Sequence, residues 1–183
     1  MNDKSVGLLE LSSVAAGFVV ADTVLKAGNV RLMLSRSICS GKYMVLIAGE
    51  TASVQSAVDA GVAAANGCLI DNFVIPNIHP DVITALGRTQ MTPPEGALGI
   101  LESFNVATLI LAADHVVKTA DVQLLEVRLA MALGGKAFLT LTGTVSSVQE
   151  AIAAGRALIA DSGTLVNAVV ISRPHPDIYR ELV

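Results

Sequence analysis

Apolar positions along the chain alternate between two periods. Val6 to Leu11, Val30 to Leu34 and Met44 to Ala48 are short apolar runs bounded by polar or turn residues, and they read as strands. Between the first two, apolar residues recur at helical spacing, which places Val14, Phe18, Ala21 and Leu25 on one face. Ser12-Ser13 offers good N-cap residues for that helix. A small-residue helix follows, with Val54, Ala57, Val58 and Gly61 inward. A strand from Leu69 to Ile75 and a short helix after His79-Pro80 complete the module.

The module is then written a second time, which is the dominant feature of the chain. Val6-Gly7-Leu8-Leu9-Glu10 returns as Leu98-Gly99-Ile100-Leu101-Glu102. The register holds through Ala21/Ala113, Asp22/Asp114, Lys26/Lys118 and Leu32/Leu124. After a two-residue insertion in the second copy it resumes with Gly41-Lys42 against Gly135-Lys136 and continues to Gly61/Gly155. The second copy repeats the helix faces as Val106, Ile110, Ala113, Val117 and as Val148, Ala151, Ile152, Gly155, with a strand from Leu165 to Ile171. The expected domains are 1–88 and 97–183, joined by a linker, 89–96, whose Pro93-Pro94 breaks any regular element. Because the two middle strands form a hairpin, each copy is expected to be α+β, a sheet with helices on one face, and not a doubly wound parallel fold.

Composition adds an expectation of self-association. The chain is 52% hydrophobic and only 3% aromatic, so it carries more apolar surface than a lone monomer usually shows, and subunit contacts would cover it. Polar residues and glycines interrupt every long apolar stretch, so no membrane span is expected. The opening Met-Asn-Asp-Lys-Ser lacks the layout of a secretory signal, and two cysteines without a spacing motif point to a reducing, cytoplasmic setting. A net charge of −4 without a basic run argues against a nucleic-acid partner.

No nucleophile–base pair, Gly-rich phosphate loop or metal-ligand spacing stands out, so no enzymatic activity is expected. Cys39 is the oddity: a free cysteine is usually buried, yet this one lies on the turn Arg36 to Tyr43. Cys68 reads as buried filler. His79, His115 and His175 read as helix-start or interface residues, and Glu10 and Glu102 as solvated or capping carboxylates.

These residues resemble the bacterial microcompartment shell proteins. The resemblance rests on Gly7-Leu8-Leu9-Glu10-Leu11, Leu25-Lys26-Ala27-Gly28-Asn29-Val30, Gly41-Lys42-Tyr43, Ile78-His79-Pro80 and Arg173-Pro174-His175. Two unpermuted copies, with Ser37-Ile38-Cys39-Ser40-Gly41-Lys42 in the first, are most similar to tandem-domain shell proteins of the propanediol-utilisation type. The resemblance implies two tandem BMC domains, each a ferredoxin-like α/β sandwich, and a pseudohexameric homotrimer that tiles with other shell proteins. It places the chain in a microcompartment shell. It also implies a central pore lined by Ile38, Cys39, Ser40 and Gly41 of copy one and by Leu133, Gly134 and Gly135 of copy two. Lys26, Lys118, Arg173 and His175 would lie at the tile edge.

On a threefold axis one cysteine per chain becomes three thiols. A [4Fe–4S] cubane has such an axis through one iron, leaving three irons for three Cys39 thiolates. The resemblance implies the same cluster, one per trimer, with Arg36 and Lys42 favouring the thiolates and an enclosed redox enzyme as a further partner. The alternatives are a shell trimer whose pore passes a metabolite without a cluster, and a cytosolic trimer that binds a small ligand.

Overall fold

The computed structural model describes residues 4–87, 96–129 and 135–180. Contacts divide the chain into two units, one ending at Ile78 and the other beginning at His79. The first unit runs β1 (Ser5–Leu11), α1 (Val14–Ala27), β2 (Val30–Ser37), a 3-10 turn (Cys39–Gly41), β3 (Tyr43–Gly49), α2 (Thr51–Ala64) and β4 (Leu69–Pro76). Its antiparallel sheet has the order β2-β3-β1-β4. The second unit contains α3 (Pro80–Gly87), β5 (Ala97–Ser103), α4 (Val106–Thr119), β6 (Gln123–Arg128), β7 (Ala137–Gly143), α5 (Val145–Asp161), β8 (Leu165–Ile171) and α6 (Pro176–Arg180). Its sheet has the order β6-β7-β5-β8. The expected α+β architecture, helices on a hairpin-containing sheet written twice, is the observed one.

Side-chain caps start α1, where the sequence places one, and α4 as well. Ser13 Oγ accepts the Ala16 N–H at 3.3 Å for α1, and Asn105 Oδ1 accepts the Thr108 N–H at 2.8 Å for α4. Each bond satisfies one of the N–H groups that a helix start leaves orphaned. In the first unit Leu9, Leu11, Val45 and Ile47 meet Val20 and Val24 of α1 and Val54, Ala57 and Val58 of α2. Fully burying each Val or Leu contributes about 1.5–3 kcal/mol. The two helices approach closely because Gly61 lacks a side chain: a Cβ there would lie 2.7 Å from Val24 and 3.0 Å from Leu9. Gly155 repeats the arrangement against Val116 and Leu101.

Two expectations change. The buried face of α1 is Gly17, Val20, Ala21 and Val24, whereas Val14, Phe18 and Leu25 are exposed. Helical spacing marks an apolar stripe; it does not say that the same chain covers it. On α4 the expected Val106, Ile110 and Ala113 are buried and Val117 is half-buried. The second change concerns the helix at 80–87, which the repeat assigns to the first copy. By contacts it falls in the second unit, where it packs across β6 and α4. Val82 and Ala85 are buried there, and Asp114 Oδ1 accepts the His79 N–H at 2.7 Å.

Candidate functional site: the turn between the middle strands

β2 and β3 form a hairpin in which Ser37 pairs with Tyr43. The Ile38 N–H donates to the Lys42 carbonyl at 2.9 Å and closes the turn. Gly41 takes φ +74°, a conformation that a side chain disfavours, and nothing lies within 4 Å of where its Cβ would be. Cys39 is a thiol outside any disulfide and is half-buried at the start of the 3-10 turn. The Ile38 side chain is buried within the chain, so only its backbone edges the turn. In the second copy Gly135 also has positive φ and open space around it. Leu133 and Gly134 lie outside the described residues.

The electrostatics around the turn differ from expectation. Glu10 is neither solvated nor a cap: it is buried, and its Oε1 accepts from Lys42 Nζ at 2.7 Å. The second copy repeats the pair as Lys136–Glu102 at 2.7 Å. Lys42 therefore has its charge compensated across the β1–β3 ladder, while Arg36 near the end of β2 is exposed. Sequence reasoning missed this pair because its partners are 32 residues apart, although the recurrence of both members in the second copy as Glu102 and Lys136 was the available signal. Cys68 is not fully buried filler; it is half-buried against the first-unit core.

Among the described residues no group of three or more His, Cys, Asp or Glu side chains could hold a metal within one chain. The donor chemistry on the turn fits an iron–sulfur cluster in kind, a thiol beside open space, but one chain supplies one ligand. Any cluster held by Cys39 must draw on several copies.

The expected edge residues are exposed on separate elements. Lys26, in the last turn of α1, pairs with Asp22, and Lys118, in the last turn of α4, pairs with Asp114. Arg173 lies in the bend before α6. His175 Nδ1 accepts the Asp177 N–H at 3.3 Å, as His79 does from Asp81. Both histidines thus stand at helix starts, and His115 is exposed on α4. No helix of the described residues is long and apolar enough to cross a membrane.

The fold, two units each with a four-stranded antiparallel sheet and helices packed on it, is that of a tandem-domain shell protein. The BMC domain family matches residues 5–78 and 97–174, and the chain belongs to that family of bacterial microcompartment shell proteins. It is 37% identical over 180 residues to the bacterial microcompartment shell protein PduT of Citrobacter freundii, covering 98% of both chains. One copy alone matches PduA of the same organism, 36% identical over 84 residues, with 45% of this chain covering 90% of that one. A crystal structure of a microcompartments protein from Desulfitobacterium hafniense DCB superposes with a TM-score of 0.93 at 47% identity, covering 96% of this chain and 98% of that one. The chain is thus a structural component of a microcompartment shell, within the cytoplasm, and the relatives it matches are themselves microcompartment shell proteins.

Proposed function

We propose that the chain is a non-enzymatic shell tile. Three copies form a pseudohexameric homotrimer, and the β2–β3 turns surround its central pore. Three Cys39 thiolates, one per chain, hold a [4Fe–4S] cluster there, and the pore carries electrons across the shell to or from an enclosed redox enzyme. The observation that carries this reading is the placement of Cys39: a thiol outside any disulfide, on a turn whose Gly41 leaves open space beside it. Cys39 would bind iron, Arg36 would favour the thiolate, and Ser40 and Gly41 would border the cluster. Lys26, Lys118, Arg173 and His175 would meet neighbouring tiles at the edge. A second reading, a pore that passes a small metabolite with no cluster, is favoured by the Lys42–Glu10 pair, which takes one of two cations away from the thiol.

Iron and acid-labile sulfide assayed on protein purified without oxygen separate the two. The first reading expects about four of each per trimer, abolished by Cys39→Ala with the trimer intact. Absence of iron from the parent protein after anaerobic reconstitution leaves the metabolite pore.

A further inference from the structure

Asn66-Gly67 is the only Asn-Gly step in the chain. It forms the turn between α2 and β4, where Asn66 takes φ 46° and Gly67 φ 79°. Positive φ at both central residues marks a type I′ turn. The Cys68 N–H donates to the Ala65 carbonyl at 2.9 Å and closes it. Both central residues are exposed, and nothing lies within 4 Å of where a Gly67 Cβ would be. Among the described residues the Gly67 N–H donates to no backbone carbonyl.

Asn77 supplies a contrast within the same unit. It is exposed and left-handed too, at φ 52°. Its follower, however, is Ile78, whose branched side chain is buried and whose N–H donates to the Lys4 carbonyl at 3.0 Å. In the second copy the turn before β8 holds Ser162-Gly163, which has no side-chain amide, and Ser162 takes φ −82°. An amide side chain, an unshielded peptide nitrogen and solvent therefore meet at Asn66-Gly67 and not at these other turns.

We infer that Asn66-Gly67 is a self-modifying site, at which the chain converts its own side-chain amide to an acid. The Gly67 nitrogen bonds to Asn66 Cγ, the Cγ–Nδ2 bond breaks, and ammonia leaves with the Gly67 proton. Water then opens the cyclic imide at one carbonyl or the other, giving aspartate or isoaspartate at position 66; no group is oxidised or reduced. What hinders such an attack is a side chain on the attacking residue, and Gly67 has none. The turn must relax for the nitrogen to reach Cγ, and its single exposed hydrogen bond makes this a low-cost local opening. Either product adds a negative charge, and isoaspartate also lengthens the backbone. That strains the segment where the Ser12 N–H and hydroxyl donate to the Cys68 carbonyl at 2.8 and 3.2 Å. Leu69 pairs with Leu11, and Leu11 with Tyr43, so the charge lands at the end of the sheet that carries the Cys39 turn. The inference stands without the pore or the cluster.

Peptide mapping by mass spectrometry, on folded protein held at mildly alkaline pH, tests it. The amide-to-acid mass gain should accumulate at Asn66 at least about tenfold faster than at Asn77, the rate ratio of a modest difference in barrier. The gain should quicken as pH rises, because the attacking nitrogen must lose its proton. Part of the product should accept methyl groups from a protein isoaspartate methyltransferase, which ordinary aspartate does not. Equal rates at Asn66 and Asn77, or loss of the Asn66 amide only in a urea-unfolded sample, overturns the inference. Isoelectric focusing gives a second readout on the intact chain. The parent should acquire an acidic band on ageing, and Asn66→Gln, whose longer side chain closes the ring poorly, should lose it. An undiminished acidic band in that variant places the modification elsewhere and overturns the assignment.

Discussion

At the scale of single residues, the two copies solve one packing problem in opposite ways. Gly17 of α1 rests on the Tyr43 ring: a Cβ at Gly17 would fall 2.2–2.7 Å from its atoms. Tyr43 also shares a hydrogen bond with Ser35 Oγ at 2.9 Å. At the equivalent places the second copy has Leu109 and Ala137, both fully buried. Small over large has become large over small. Gly17→Leu should therefore cost more than about 1–3 kcal/mol through overpacking. Adding Tyr43→Ala should recover about 1–3 kcal/mol of it, the coupling expected of residues in contact. Denaturant midpoints at one protein concentration check this, and a double variant no more stable than Gly17→Leu would refute the exchange. The swap was invisible in the sequence because the two-residue insertion separates the helix register from the strand register. Only the folded pairing of α1 with β3 aligns Gly17 with Tyr43.

At the scale of elements, strand and helix order was legible because the repeat doubles every weak periodic signal. The α1 cap was legible too, since Ser13 before an apolar stripe accepts a free N–H group, whereas the Asn105 cap of α4 went unread. Asn105 Oδ1 accepts from both the amide and the hydroxyl of Thr108. Asn105→Ala should lower stability by about 1 kcal/mol; an unchanged unfolding midpoint would show that the cap contributes nothing. The faces were less legible than the elements. The inner stripe of α2, Val54 to Gly61, is buried as read, because β1 and β3 lie beneath it in the same unit. The stripe of α1 fails because hydrophobicity records that a surface is to be covered and not by which chain. The Glu10–Lys42 pair escaped for a related reason: periodicity registers isolated charges, and only the β1–β3 register brings this pair together.

At the scale of the whole molecule, the family was legible across both copies, while the assembly was not, since one chain holds one Cys39 and one thiol cannot define a cluster. Tiling adds a prediction that concerns the rim. Lys26 and Lys118 sit at helix C-termini, where a cation is favoured by the helix dipole; the Lys26–Asp22 pair is exposed and holds little folding energy, whereas Lys118 compensates the buried Asp114. Replacing Lys26 by alanine should leave the unfolding free energy within about 0.5 kcal/mol of the parent, and replacing either lysine should impair extended sheets seen by electron microscopy. Undiminished sheets would remove both lysines from the tile edge.

The inverted pair at Gly17–Tyr43 and Leu109–Ala137 has a consequence for how the chain reaches its fold. Tandem repeats of similar sequence are prone to misassembly, in which an element of one repeat inserts into the other. Here β3 placed beneath α4 would drive the Tyr43 ring into Leu109, and β7 placed beneath α1 would leave a hollow between Ala137 and Gly17. Both crossed products are penalised, one by collision and one by a void. The duplication thus carries its own proofreading: two halves alike enough to share one architecture differ at the contact where exchanging them would go wrong.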